Sequence, residues 1–221
     1  MRETNGGGGV LVLLGSPGVG KGTQGVRLGQ DLGWAHVSTG DLLRAALGER
    51  TVLGVKAGKY MDAGELVPDH LIVDLVREHL ATMPAGRGVV FDGFPRTVPQ
   101  AEALDRVLAG AGRTVNRVCL LEAPEEILVK RISGRRASPN GRVYNIYFDP
   151  PLRDGVCDET GEPLIHRADD HPDTVRTRLS VYREVTAPLV GFYEDRGLLA
   201  RVDGEGGIEQ VYGALRAAVG R

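Results

Sequence analysis

The sequence predicts an α/β fold, a doubly wound parallel sheet of five strands, on three observations. Short apolar runs recur along the chain, longer helical stretches separate them, and the first run leads straight into a glycine-rich turn. The runs Val10 to Leu14, Gly88 to Phe91, Val115 to Leu121 and Leu198 to Val202 have the length and unbroken hydrophobicity of strands buried on both faces. Ala35 to Ser38 supplies a shorter fifth run.

In chain order, Met1 to Gly8 is expected to be a frayed tail, and the apolar stretch after it is too short for a signal segment. After the fifth run, STGD offers Ser, Thr and Asp as helix N-caps for Leu42 to Leu47. Gly25 and Gly29 fall inside an expected helix, where each costs about 0.5–1 kcal/mol relative to Ala. Gly134 to Asp170 breaks the pattern: it is rich in Pro, Gly, Asp and Arg, has no helical period, and carries short β-like pieces at Arg142 to Phe148. It reads as a small inserted subdomain between two helices. Asp173 to Arg196 then resumes a long helix, with Pro188 as an expected kink or break.

Composition narrows the classes. The 221 residues are 42% hydrophobic and 25% charged, ordinary for one globular α/β protein, and the net charge of −2 provides no chain-wide basic field. Nucleic acid is therefore not the expected partner, and a polyanion would have to meet a local cluster of Arg and Lys. Cys119 and Cys157 make neither a disulfide framework nor a zinc site by themselves, which suits a reducing cytoplasm. No stretch approaches the roughly 20 apolar residues of a membrane span, so no membrane partner is expected.

The turn GSPGVGKGT, Gly15 to Thr23, lies between strand and helix, the context that a phosphate-binding loop demands. Gly18, Val19, Gly20, Lys21, Gly22 and Thr23 would cradle a nucleotide's phosphates with backbone N–H groups and a helix N-terminus, Lys21 reaching the β and γ oxygens. Gly22 occupies the place where a Ser or Thr hydroxyl usually ligates Mg²⁺. The metal would then be held by phosphates and water, with Asp92 at a strand end orienting that water.

STGDLLRAAL from Ser38, MDAGELVPD from Met61, FDGFPRT from Phe91 and VKRISGRR from Val129, all after this loop, resemble the adenylate kinases in order and spacing. HRADDHPDTVRTRLSVY from His166 and the later RVDG complete the set, so the resemblance runs from about Val10 to the last helix. It implies a reversible, Mg²⁺-dependent transfer, ATP + AMP = 2 ADP, serving nucleotide homeostasis and purine salvage. It further implies a phosphate-loop core at 9–37, 68–133 and 171–221, an AMP-binding lobe at 38–67 and a lid at 134–170. Thr39, Arg44, Glu65, Leu66, Val67, Gly93, Phe94, Pro95, Arg96 and Gln100 match the family's AMP contacts. In that reading Arg44 and Arg96 clamp the AMP phosphate and Gln100 hydrogen-bonds the adenine edge.

Arg135, Val143, Tyr144 and Gly206 match ATP contacts, and Arg131, Arg167 and Arg178 match arginines that reach the transferring phosphates, the last two also bordering AMP. The implied catalytic set is Lys21, Arg96, Arg131, Arg135, Arg167 and Arg178. Taken singly each arginine is more simply a solvated charge, and Tyr144 could simply pack the insert. Some relatives bind zinc in the lid through two Cys-x-x-Cys-like pairs. Here only Cys157 remains, with Thr160 at the fourth position and Ser138 and Asn140 on the other side, so a zinc-free, hydrogen-bonded lid is expected. Phe94-Pro95 resembles a cis peptide site. A monomer is the default, and the resemblance leaves open another base preference, such as GTP as donor, or a P-loop switch without an acceptor.

Overall fold

The computed structural model describes residues 8–220; the tail expected over 1–8 lies outside them except for Gly8, whose N–H donates to the Gly86 carbonyl at 2.5 Å. The strands are β1 (Val10–Leu14), β2 (Ala35–Ser38), β3 (Val89–Asp92), β4 (Arg117–Glu122), β5 (Arg135–Ala137), β6 (Val143–Asn145) and β7 (Leu199–Asp203). Five of these form one parallel sheet in the order β2-β3-β1-β4-β7, as the alternation of runs predicted, while β5 and β6 pair antiparallel apart from it.

Alternate residues of the apolar runs feed two separate cores. Val10, Val12, Leu14, Val89, Phe91, Val118 and Leu120 pack on one face, and Leu11, Leu13, Val90, Cys119, Leu121 and Val202 on the other. Burial on both sides is what makes the strands read as continuous hydrophobic sequence. Burying one such Val, Leu or Phe side chain contributes roughly 1.5–3 kcal/mol. The strands run further toward their C-terminal ends than apolar content alone indicated, because ladder pairs carry polar residues along: Asp92 pairs with Leu13 and Ser38, and Glu122 with Asp203.

The helices are α1 (Lys21–Leu32), α2 (Thr39–Gly48), α3 (Val52–Ala63), α4 (Asp69–Ala81), α5 (Val98–Ala109), α6 (Glu125–Ser133), α7 (Pro172–Val181), α8 (Pro188–Glu194) and α9 (Ile208–Val219). Ser38 caps α2, its hydroxyl accepting from Asp41 N at 3.2 Å, so the helix starts earlier than Leu42. The glycines of α1 let it lie flat on the sheet: a Cβ at Gly25 would stand 2.8 Å from the His36 ring, and one at Gly29 3.1 Å from the Trp34 carbonyl.

The long helix expected over 173–196 is interrupted. Between α7 and α8 the residues Tyr182–Thr186 form a π turn, with Ala187 N donating to Tyr182 O at 2.8 Å. Pro188, which has no N–H to give the preceding turn, opens α8. In the insert, only Val143–Asn145 of the β-like stretch pairs as a strand; Asn145 then turns the chain, its Oδ1 accepting from Tyr147 N at 3.0 Å. Among the described residues no helix is long and apolar enough to cross a membrane.

Candidate active site

The carboxyl ends of β1 and β3 face a common crevice, because the chain runs to β2 and β3 on one side of β1 and to β4 and β7 on the other. The loop after β1 turns through left-handed backbone at Gly18 (φ 82°) and Gly20 (φ 102°), conformations open to glycine, and delivers Lys21 as the first residue of α1. The Lys21 Nζ donates to the carbonyls of Gly15 at 2.8 Å and Ser16 at 2.9 Å, folding the side chain over its own loop. Burial, opposed by Asp92 and reinforced by Arg96 and Arg178, pushes its pKa down to about 8. Val19 is buried beneath the loop, whereas Thr23 is exposed.

Asp92 ends β3 beside the first turn of α1, where a Cβ at Gly22 would stand 3.3 Å from its Oδ2. Burial pushes its carboxyl up, but the His36 ring 3.7 Å away and the charges of Lys21 and Arg96 outweigh burial and hold it below the usual carboxylate range. Among the described residues no three His, Cys, Asp or Glu side chains cluster to hold a metal. The ionised Asp92, next to the phosphate loop, is a carboxylate that could hold the water shell of a Mg²⁺ ion.

The loop after β3 builds the opposite wall. Phe94-Pro95 is cis, as expected, and Phe94 is buried against Phe91. The Gly93 carbonyl accepts from Thr39 Oγ1 at 2.8 Å and from Arg96 Nε at 2.8 Å. Gln100 is buried and engaged at both ends: its Oε1 accepts from Arg96 N at 2.8 Å and its Nε2 donates to Asp69 Oδ1 at 2.7 Å. Its amide therefore fixes the Arg96 loop. Leu66 lines the cleft together with Gly93 and Pro95, Glu65 is exposed, and the Val67 side chain belongs to the core.

Cations converge on this cleft from five parts of the chain. Arg96 and Arg178 line it with Lys21. Arg44, on α2, is paired with Asp41 at 2.6 Å. Arg135 grips the fully buried Asp170 bidentately, at 2.8 and 2.5 Å, and Arg178 reaches Asp169 Oδ2 at 3.0 Å and Asp170 Oδ1 at 3.3 Å. The guanidinium groups feel one another. Burial and Arg178 push Arg96 down to about 10 against the pull of Asp92, and burial with Arg135 and Arg44 does the same to Arg167. Six cations here face the four carboxylates of Asp41, Asp92, Asp169 and Asp170, so the cleft keeps a positive excess suited to a polyanion.

Arg131 stands apart from these five arginines. It donates to the carbonyls of Gly204 at 2.6 Å, Glu205 at 2.9 Å and Gly206 at 3.2 Å, clasping the loop between β7 and α9. Val143 is exposed, while Tyr144 is buried inside the insert, its hydroxyl 3.5 Å from Cys157 Sγ and accepting from Asp158 N at 2.9 Å. Sequence reading singled out the cations but missed Asp69, Asp169 and Asp170. The DD pair in HRADD, beginning two residues after Arg167, was the available signal for counter-charge.

A family model described as Adenylate kinase matches residues 13–198 of the chain. A protein of Bacillus subtilis named "Adenylate kinase" is 46% identical over 211 residues, covering 95% of this chain and 97% of the relative. One of Geobacter sp. with the same name is 48% identical over 210 residues, covering 95% and 98%, and one of Carboxydothermus hydrogenoformans is 46% identical over 210 residues, covering 95% and 98%. With this likeness along nearly its whole length, the chain belongs to the adenylate kinase family.

Proposed function

We propose that this phosphotransferase moves the γ-phosphoryl group of ATP to AMP, giving two ADP, and that the Lys21 loop and the Arg96 loop bind the two nucleotides at opposite walls of one cleft. The observation that carries the reading is the second wall: Thr39, Gly93, Arg96, Gln100 and Asp69 form a hydrogen-bonded set that a nucleotide hydrolase has no need of. In the transfer, an oxygen of the AMP phosphate forms a new P–O bond as the bond to the β-phosphate oxygen breaks. The acceptor is a phosphate already substantially ionised near neutral pH, so no general base is needed.

The work left to the protein is alignment and charge neutralisation. Lys21 holds the β and γ oxygens of the donor; Arg44 and Arg96 orient the acceptor; Arg135, Arg167 and Arg178 stand where negative charge spreads over the transferring group. Groups of this kind contribute ~10³–10⁵ in rate. Asp92 would orient the water shell of Mg²⁺, which would supply further neutralisation when bound to the phosphates. The 134–170 insert, which brings Arg135 and Arg167 to the cleft, acts as the lid that excludes water.

The lid is zinc-free in this reading: Ser138, Asn140, Cys157 and Thr160 offer one soft ligand where a tetrahedral site needs four, and stoichiometric zinc in the purified protein would overturn it. The protein is also taken as a cytoplasmic monomer. The test of the main proposal is a coupled assay in which AMP must accelerate ATP consumption and two ADP must form per ATP, run across ATP, GTP and other donors. ATP loss indifferent to AMP would overturn it.

A further inference from the structure

We infer that Gln24 is a positioning residue for the donor nucleotide, setting the distance between the phosphate loop and the loop that meets the donor's base. Gln24 lies one turn into α1, three residues after Lys21, and is only 3% exposed. Its Nε2 crosses to the other end of the chain and donates to the Ile208 carbonyl at 3.0 Å, at the first residue of α9. Ile208 closes the loop 204–207, whose carbonyls at 204, 205 and 206 are held by Arg131 from α6. The Gly204 N–H is also tied to the Glu122 carbonyl at 2.7 Å, and a Cβ at Gly204 would stand 2.9 Å from Val19 Cγ2 of the phosphate loop. The base loop is thus fixed on one side by α6 and β4, and on the other by Gln24 to the helix whose N-terminus holds the phosphates.

Architecture alone does not account for an amide here. The Gln24 Oε1 is buried with no hydrogen-bond partner among the described residues, an arrangement that costs free energy and that an unbranched apolar side chain would avoid. What the amide adds is directional registry between two loops. That registry has chemical content, because the carbonyls of the 204–206 stretch can only accept hydrogen bonds. Each already accepts from Arg131, and the second lone pair of such a carbonyl can accept from a base edge presenting an amino group, as adenine does, while the keto oxygen of guanine at the same place meets another acceptor. A shift of the loop relative to Lys21 would therefore weaken the donor and blur the choice between the two purines.

The inference rests on the donor lying between Lys21 and the Gly206 loop, and the experiment separates the two. ATP and GTP binding are measured by calorimetry, and KM is measured for ATP and AMP, in the wild type, Gln24→Met and Gln24→Glu. Met keeps the length without the donor; Glu sets a carboxylate against the Ile208 carbonyl. The expected result is a KM for ATP raised ~3- to 10-fold in Gln24→Met, the size of one lost neutral hydrogen bond, and more in Gln24→Glu. The preference for ATP over GTP should shrink while KM for AMP stays within twofold. If Met does not fold, Gln24→Asn, too short to reach Ile208, takes its place. KM values for ATP and AMP that move together, or ATP binding unchanged from wild type, would overturn the role of Gln24. A wild type that bound no ATP would overturn the donor site itself and the inference with it.

Discussion

Replacing Arg96 by Lys isolates what the guanidinium does, because it keeps the charge and removes the fork. The position is fixed twice before any ligand arrives: Arg96 N donates to Gln100 Oε1 at 2.8 Å and Nε to the Gly93 carbonyl at 2.8 Å. With Nε engaged and Arg96 lining the cleft, the two terminal nitrogens carry no protein hydrogen bond among the described residues, which leaves a pair suited to two parallel hydrogen bonds on one phosphate. An ammonium has no planar fork and cannot present the parallel pair, and burial among cations lowers its pKa, as Lys21 at about 8 illustrates. Losing one charge-assisted hydrogen bond costs about 1.5–3 kcal/mol. At 1.36 kcal/mol per decade, kcat/KM for AMP should fall roughly 10- to 150-fold, with KM for ATP nearly unchanged. Steady-state kinetics with each nucleotide varied in turn reads this directly, and a melting curve confirms the fold. A kcat/KM for AMP within threefold of wild type would refute the acceptor role of Arg96.

Further outcomes follow from the same geometry. Because Lys21 titrates at about 8 in the free protein, below its ordinary 10.5, kcat/KM for ATP should decline above that pH; a profile flat to pH 10 would contradict it. The same shift means that the folded state binds fewer protons than the unfolded one between the two values, so this group adds stability as pH rises through that window, visible as a denaturation midpoint that climbs for wild type and not for Lys21→Met. Asp170→Asn breaks a buried pair with Arg135, which is 21% exposed, so the low end of the usual cost applies, about 3 kcal/mol. That corresponds to a Tm lower by roughly 6–12 °C, and an unchanged Tm would show that the pair contributes nothing net. Gly25→Ala gains ~0.5–1 kcal/mol of helix propensity but overpacks His36 and Leu13 by about 1–3 kcal/mol, so calorimetry should find a net loss.

The sheet was legible because burial on both faces leaves a run of apolar residues that no surface element shares, and the phosphate loop because its glycines and lysine sit between a strand and a helix. Asp92 was legible as the end of its strand, and the ladder pairs that put it in β3 are with Leu13 and Ser38, partners distant in sequence. The break in the long helix was legible at Pro188, but not its form: the π turn begins at Tyr182, six residues earlier. The arginines were legible as a set through family likeness, yet likeness did not tell Arg131 from the rest. Its place on the Gly204–Gly206 carbonyls depends on a contact 73 residues away in sequence. Gln100 was read as a contact to a base, and its side chain is taken up by Arg96 and Asp69, a pairing visible only once α4 and α5 are side by side.

The acids missed in the sequence explain how such a site can exist without its ligands. Five arginines and a lysine in mutual reach repel one another, and the fall of Arg96 and Arg167 to about 10 records that repulsion together with burial. Asp169 and Asp170, on one short 3-10 turn, hold Arg135 and Arg178 at the root of the insert, the two guanidinium groups sharing Asp170 Oδ1. Two carboxylates neutralise part of the charge and fix the geometry of two arginines, yet they leave the cleft positive. Had the acids matched the cations, phosphate would have had to displace carboxylate; had they been absent, the cluster would spread by repulsion. A partial match keeps the guanidinium groups oriented in advance and leaves a positive field that a polyanion can neutralise.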